Sequence, residues 1–132
     1  MRRGHGVALG VLAALVIAVA IPRGTHHASP PGGNRATIGF KSHEALREHF
    51  REHGPDFGAA DAFAYLELAQ ALRDRPPGRG VLELRRGDGV TTRFDRSSGA
   101  FLAFDAEGVI RTFFKPHDGE AYFRRQAARE RH

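Results

Sequence analysis

The sequence predicts one α+β domain in which two N-terminal helices pack on a four-stranded antiparallel sheet. Before Pro76 the apolar residues recur at helical spacing, whereas from Val81 onward they follow the two-residue period of strands. Glycine-containing turns at 87–89, 95–99 and 106–108 separate the strand-like segments. Connections this short join only antiparallel neighbours. The strands should therefore form a meander, with the helices on one face of the sheet.

Both predicted helices have recognisable ends. Ser42 is suited to cap the first helix, and Gly54 is expected to end it in the left-handed conformation. Asp61 is a good N-cap for the second helix, which should run to about Arg73 before the prolines that begin at Pro76.

Four short runs have strand-like composition: residues 81–86, 90–94, 100–105 and 109–114. In the last run, the two-residue period places Ile110, Thr112 and Phe114 on one face, which we expect to face the helices. Thr112 would then point toward the first helix. A short, basic C-terminal helix is also expected over residues 120–131, anchored by Tyr122 and Phe123.

The N-terminal segment predicts export. Residues 1–21 combine two arginines with a fifteen-residue apolar run, shorter than the roughly 18–20 residues that span a bilayer. This pattern is typical of a secretory signal peptide, with an uncleaved signal anchor as the alternative. Residues 22–36 are rich in Pro and Gly and are expected to be a flexible linker, and residues 37–132 form the domain. The protein should be secreted, or membrane-tethered outside the cytoplasm.

Composition limits the classes of function. The chain has no cysteine, so the exported domain must be stable without disulfides. Of 20 Lys and Arg residues, Arg2, Arg3, Arg23 and Arg35 precede the domain, which leaves 16 basic residues against 15 acidic ones. Bulk charge therefore does not indicate a nucleic-acid-binding domain.

The first helix carries the strongest chemical signal. His49 and His53 are four residues apart, so they lie on one helix face and form a plausible acid/base pair. The same residues match the inverted zinc-protease motif H-x-x-E-H, in which two histidines bind zinc. A zinc site needs a third ligand, and Glu67 and Glu120 are not in a recognisable ligand context. We therefore expect no metal or other cofactor. The remaining alternative is a capped amphipathic helix with histidines at its solvent boundary.

The order of several motifs resembles the colicin D-like anticodon nucleases and related polymorphic and contact-dependent toxin domains, within the barnase–EndoU–colicin–RelE ribonuclease superfamily. The matching segments are HFREHGPDFG at 49–58, Tyr65, Ala69, TRFD at 92–95, AF at 100–101, DAEGVI at 105–110, TFFKP at 112–116 and YF at 122–123. The resemblance covers residues 41 to about 126. The resemblance implies a ribonuclease whose principal catalytic residue is His53, with Thr112 and Phe114 in the same cleft.

One departure from colicin D affects how the substrate would be bound. Phe50 and Glu52 stand where that toxin has lysines just before its catalytic histidine. The cationic role would have to pass to other residues, for which the candidates are Lys41, Arg51, Arg93 and Lys115.

The expected function is an exported, metal-independent ribonuclease of the toxin type, for which the resemblance makes tRNA a candidate substrate. His53 would be the base or acid, His49 the second proton carrier, and Lys115 and Arg93 would stabilise phosphate charge. Thr112 would orient the phosphate, and Phe114 or Tyr122 would stack on a base. Such a toxin requires an immunity protein in the producing cell. The alternative is a non-catalytic exported binding domain with a toxin-like fold.

Overall fold

The computed structural model describes residues 39–131, so the predictions for the signal segment and the linker lie outside the described residues. It contains three helices and four strands: α1 (His43–His53), α2 (Ala62–Asp74), β1 (Val81–Arg85), β2 (Thr91–Asp95), β3 (Ala100–Phe104), β4 (Ile110–Phe114) and α3 (Glu120–Arg129). The sheet order is β1-β2-β3-β4, with every neighbouring pair antiparallel. The predicted α+β class and antiparallel meander are confirmed. Over residues 39–131, no helix is long and apolar enough to cross a membrane.

Both predicted N-caps are present. The Ser42 hydroxyl accepts a hydrogen bond from the backbone N–H of Ala45 at 3.1 Å, which caps α1. The Asp61 carboxylate accepts one from the N–H of Ala64 at 2.8 Å, which caps α2. Each cap satisfies a backbone donor that lacks a partner within its own helix.

The prediction for the end of α1 is wrong in its mechanism. Gly54 is right-handed, with φ of −54°, and it starts a short 3-10 turn, Gly54–Phe57. The left-handed residue is Gly58, with φ of 62°. Gly54 is instead required for packing, because a Cβ at this position would lie 2.4 Å from the Phe50 ring.

The helices cover both faces of the sheet. α1 and α2 pack on one face, where the main core consists of Tyr65, Ala69, Leu72, Val81, Ala100, Leu102, Ile110 and Phe113. The buried Phe123 of α3 packs on the other face, in a second cluster with Val90, Phe94, Phe101 and Ala103. The expectation of helices on one face therefore holds for α1 and α2 only.

A β-bulge reverses the faces expected for β4. Ala103 pairs with Thr112 and Phe104 pairs with Ile110, which leaves Arg111 as the extra residue. Ile110 therefore shares the α1–α2 face with Phe113. Thr112 lies on the opposite face, because it pairs with Ala103 of the α3-side cluster. The prediction that Thr112 points toward the first helix is wrong, since the sequence period gives no sign of the bulge.

Tyr65 connects α2 to the end of β4. Its side chain is fully buried, and its hydroxyl donates a hydrogen bond to the backbone carbonyl of Phe113. The Phe57 ring stacks on Phe113 at a centroid distance of 4.3 Å. Burial raises the pKa of the Tyr65 phenol, so the hydroxyl remains a donor at neutral pH. These contacts hold the turn after α1 against the strand that ends beside it.

Candidate active site

A cleft of about 330 Å³ opens where the C-terminal end of α1 meets the end of β4. We call it the His53 cleft, and it is lined by His53, Asp56, Phe114, Lys115, Pro116, His117, Asp118 and Tyr122. His53 is the last residue of α1, and its side chain is 21% exposed. Its imidazole is therefore partly enclosed and still accessible to a ligand.

Aromatic rings form one wall of the His53 cleft. The imidazole of His53 lies 5.5 Å from the Phe114 ring, measured between centroids. Tyr122 meets Phe114 edge-on at 5.4 Å and meets Phe101 edge-on at 4.9 Å. Edge-to-face contacts of this kind hold ring orientations, so the wall is a prearranged apolar surface. Phe114 and Tyr122 thus both line the cleft that contains His53.

Lys115 and Asp118 of the cleft come from the segment after β4, and Asp56 comes from the 3-10 turn after α1. The ammonium of Lys115 lies 5.1 Å from the centre of the Phe57 ring. A hydrogen bond from Arg125 lowers the pKa of the Asp118 carboxyl, so Asp118 is ionised and already paired. His117 is exposed. The cleft therefore brings together two imidazoles and one ammonium that could act on an anionic ligand.

His49 is close to His53 but lines a different cleft. The two imidazole centroids are 6.0 Å apart, and His49 also lies 4.8 Å from the Phe40 ring. Its Nδ1 is buried without a hydrogen-bond partner. Burial, followed by repulsion from His53, lowers the pKa of His49 despite the opposing carboxylates of Glu52 and Glu48. The fold therefore favours a neutral His49.

The lowered pKa of His49 predicts a loss of stability on mild acidification. Below the ordinary value of 6.5 the unfolded chain takes up a proton that the folded chain resists, so the free energy of unfolding falls as the pH falls. We expect wild type to lose stability between pH 7.5 and 5.5, and His49→Gln to lose less. Urea denaturation across this range measures the effect, with exposed His43→Gln as the control. An unchanged pH dependence in His49→Gln would contradict the assignment.

Arg93 does not lie in the His53 cleft, and the predicted phosphate role has no support. Its side chain is buried and donates hydrogen bonds to the carbonyls of Leu72 and Arg73 at 2.9 and 2.8 Å, and to that of Arg75. It also pairs with Glu83 at 2.6 Å. Although burial alone raises the pKa of Glu83, hydrogen bonds from Arg93 and Arg85 outweigh it and lower that pKa. Arg93 of β2 thus holds the C-terminal end of α2 against the sheet.

The other predicted substrate contacts are dispersed. Lys41 lines the neighbouring cleft together with His49. Arg51 is exposed on α1, and Thr112 is half-buried on the α3 side of the sheet. Neither Arg51 nor Thr112 lines the His53 cleft.

Sequence reasoning missed His117 and Asp56. Both line the His53 cleft, and neither is part of a periodic pattern. His117 is two residues beyond the end of β4, directly after Lys115-Pro116. A proline ends a strand and redirects the chain, but the direction that the following loop takes depends on tertiary contacts and has no local sequence signal.

The zinc-protease alternative needs a third ligand near His49 and His53. Among residues 39–131, no three His, Cys, Asp or Glu side chains are grouped so that they could hold a metal. Glu120 is engaged elsewhere, because it accepts hydrogen bonds from Arg96 and Arg124. These hydrogen bonds lower the pKa of Glu120 to about 2.

Comparison of the chain with protein-family models and with characterised proteins finds no match. The similarity to toxin ribonucleases therefore stays a prediction from the sequence.

Proposed function

We propose that the domain cleaves RNA in the His53 cleft by acid–base catalysis that uses no metal ion. The observation that carries the proposal is the presence of His53, His117 and Lys115 in one cleft beside the aromatic wall of Phe114 and Tyr122. Histidine is the side chain that most often transfers protons in acid–base catalysis, and the ammonium can attract a phosphate.

The proposed reaction is an internal transesterification. One imidazole removes the proton from the ribose 2′-hydroxyl, and the 2′-oxygen then forms a bond to phosphorus. The bond from phosphorus to the 5′-oxygen breaks, and the second imidazole, in its protonated form, donates a proton to that oxygen. The products are a 2′,3′-cyclic phosphate and a free 5′-hydroxyl. Lys115 stabilises the negative charge that accumulates on the phosphorane oxygens.

We assign the two proton transfers to His53 and His117, and no longer to His49. His117 lines the same cleft as His53, whereas His49 lines the neighbouring one. The exposed Glu52 carboxylate lies 3.7 Å from Nε2 of His53, where it would attract the imidazolium that forms during proton transfer. A base unstacked from single-stranded RNA can stack on the rings of Phe114 and Tyr122.

The biological setting belongs to the same proposal. The basic and apolar start of the sequence supports export. An exported ribonuclease would meet its substrate only inside another cell, and tRNA is among the substrates that the toxin resemblance implies. The producing cell would then need an immunity protein.

Cleavage should require the ribose 2′-hydroxyl and should persist in EDTA. We expect an RNA oligonucleotide to be cleaved to a 2′,3′-cyclic phosphate, which mass spectrometry of the fragments measures. The same oligonucleotide with 2′-deoxyribose at the cleaved position should remain intact, because it lacks the nucleophile. Activity that disappears in EDTA and returns with zinc would contradict the proposal and favour the metal alternative. RNA that is bound but never cleaved would favour the non-catalytic binding domain.

A further inference from the structure

A second cleft, of about 640 Å³, adjoins the histidine pair on its other side. It lies between the start of α1 and the edge strand β4, and we call it the Lys41 cleft. The residues that matter to its chemistry are Phe40, Lys41, His49, Asp105 and Arg111. The backbone joins the two walls, since the N–H of Ile110 donates a hydrogen bond to the carbonyl of Gly39 at 3.0 Å.

The cations of the Lys41 cleft lack acidic partners. Elsewhere in the described domain, arginines are commonly held in ion pairs, such as Arg86 with Glu130 and Arg96 with Glu120. Lys41 and Arg111 are both exposed, and neither forms an ion pair with any of residues 39–131. Exposed cations without a counter-charge are free to bind an anion. The domain is nearly neutral overall, yet Lys41 and Arg111 form a local basic site.

One local feature orients Arg111, and another keeps the nearby carboxylate occupied. Arg111 is the extra residue of the β4 bulge, and bulges re-aim a side chain at a sheet edge. The one carboxylate in the cleft, Asp105, is engaged in its own turn, where its Oδ1 accepts hydrogen bonds from the N–H groups of Glu107 and Val109. Asp105 is thus tied to the backbone and forms no ion pair with Arg111 or Lys41 within the described residues.

The two clefts share the histidine pair as their border. His49 lines the Lys41 cleft, His53 lines the His53 cleft, and their ring centroids are 6.0 Å apart. An extended chain with a phosphate at His53 would therefore place a neighbouring nucleotide near His49. The side of the Lys41 cleft formed by the Phe40 and His49 rings, 4.8 Å apart, provides an aromatic surface beside the cations. Aromatic rings beside cations are the usual elements of single-strand nucleic-acid sites.

We propose that the Lys41 cleft is a binding subsite for a nucleotide whose phosphate adjoins the cleaved phosphate, so that the substrate is single-stranded RNA longer than a dinucleotide. Lys41 and Arg111 bind the phosphates of that nucleotide. This inference rests on the proposed ribonuclease activity of the His53 cleft, and it adds the length and the strand state of the substrate.

The experiment compares wild type with the double variant Lys41→Ala/Arg111→Ala. The control is Arg129→Ala/Arg131→Ala, which removes the same charge from exposed residues at the C-terminal end of α3. Each protein is assayed with an unstructured twelve-nucleotide RNA and with a ribodinucleotide. Binding is measured separately, by fluorescence anisotropy with a 2′-O-methyl version of the twelve-nucleotide RNA, which cannot be cleaved.

We expect the cleft variant to raise KM for the twelve-nucleotide RNA about tenfold, with kcat nearly unchanged and dinucleotide cleavage unaffected. The slope of log affinity against log salt concentration should become less negative by about 1.4, since each phosphate contact on a single strand contributes about 0.7 to that slope. The control variant should retain the wild-type KM.

The outcomes separate the two proposals. Equal effects of the cleft and control variants, equal losses on both substrates, or no binding of the 2′-O-methyl RNA by wild type would overturn the subsite. If wild type binds the 2′-O-methyl RNA through Lys41 and Arg111 but cleaves neither substrate, the ribonuclease proposal fails while the binding site stands.

Discussion

Replacing His53 with alanine is expected to reduce RNA cleavage by about 10²- to 10⁴-fold, the usual contribution of a general acid or base. His53 is the last residue of α1, borders the aromatic wall and lies in the same cleft as Lys115. Its side chain is partly exposed, so its removal should cost little packing energy. The loss should therefore appear in kcat, with the folded state preserved.

The measurement is the cleavage rate of an RNA oligonucleotide, with thermal melting of the same samples. His43→Ala is the matched control, because His43 is an exposed histidine on the same helix and lines neither the His53 nor the Lys41 cleft. It should retain wild-type activity. A His53→Ala variant that cleaves RNA at the wild-type rate would remove His53 from the mechanism. A variant that unfolds would make His53 a structural residue.

Replacing Arg93 with methionine is expected to lower the free energy of unfolding by about 3–5 kcal/mol, the usual cost of removing one partner of a buried ion pair. The change leaves the partly buried Glu83 without its closest cation. It also removes the donor that satisfies the last carbonyls of α2. Small domains are stable by only about 5–15 kcal/mol, so much of the protein's stability would be lost.

Arg85→Met is the control for this experiment. Arg85 pairs with the same Glu83 at 3.2 Å, but its side chain is 83% exposed, and exposed ion pairs contribute about 0–1 kcal/mol. Urea denaturation of both variants measures the difference. Equal stability of the two variants would contradict the structural role of Arg93. A folded Arg93→Met variant that has lost only RNA cleavage would restore the phosphate-binding role predicted from the sequence.

The structure places some of the residues predicted for the site in the His53 cleft and others elsewhere. His53, Phe114, Lys115 and Tyr122 line one cleft, and the resemblance had implied that His53 and Phe114 share it. His117 was missed, because the path of the chain after Pro116 depends on contacts that no pattern records. His49 lies in the neighbouring cleft, because consecutive turns of one helix can border different surfaces.

The sequence by itself determined the structural features that depend on residues close together along the chain. The caps at Ser42 and Asp61 involve hydrogen bonds over three residues, and the short glycine turns allow only antiparallel pairing. These interactions are complete within a few residues, so composition and spacing are enough to predict them.

The tertiary structure alone decided the features that depend on distant partners. The bulge at Arg111 exists only in the pairing of β4 with β3, and it moves Thr112 to the other face of the sheet. The burial of Arg93 requires the end of α2 to pack against β2, where the carbonyls of Leu72 and Arg73 accept its hydrogen bonds. A charged side chain has the same sequence signature in solvent and in a buried ion pair, because its surroundings come from segments far along the chain.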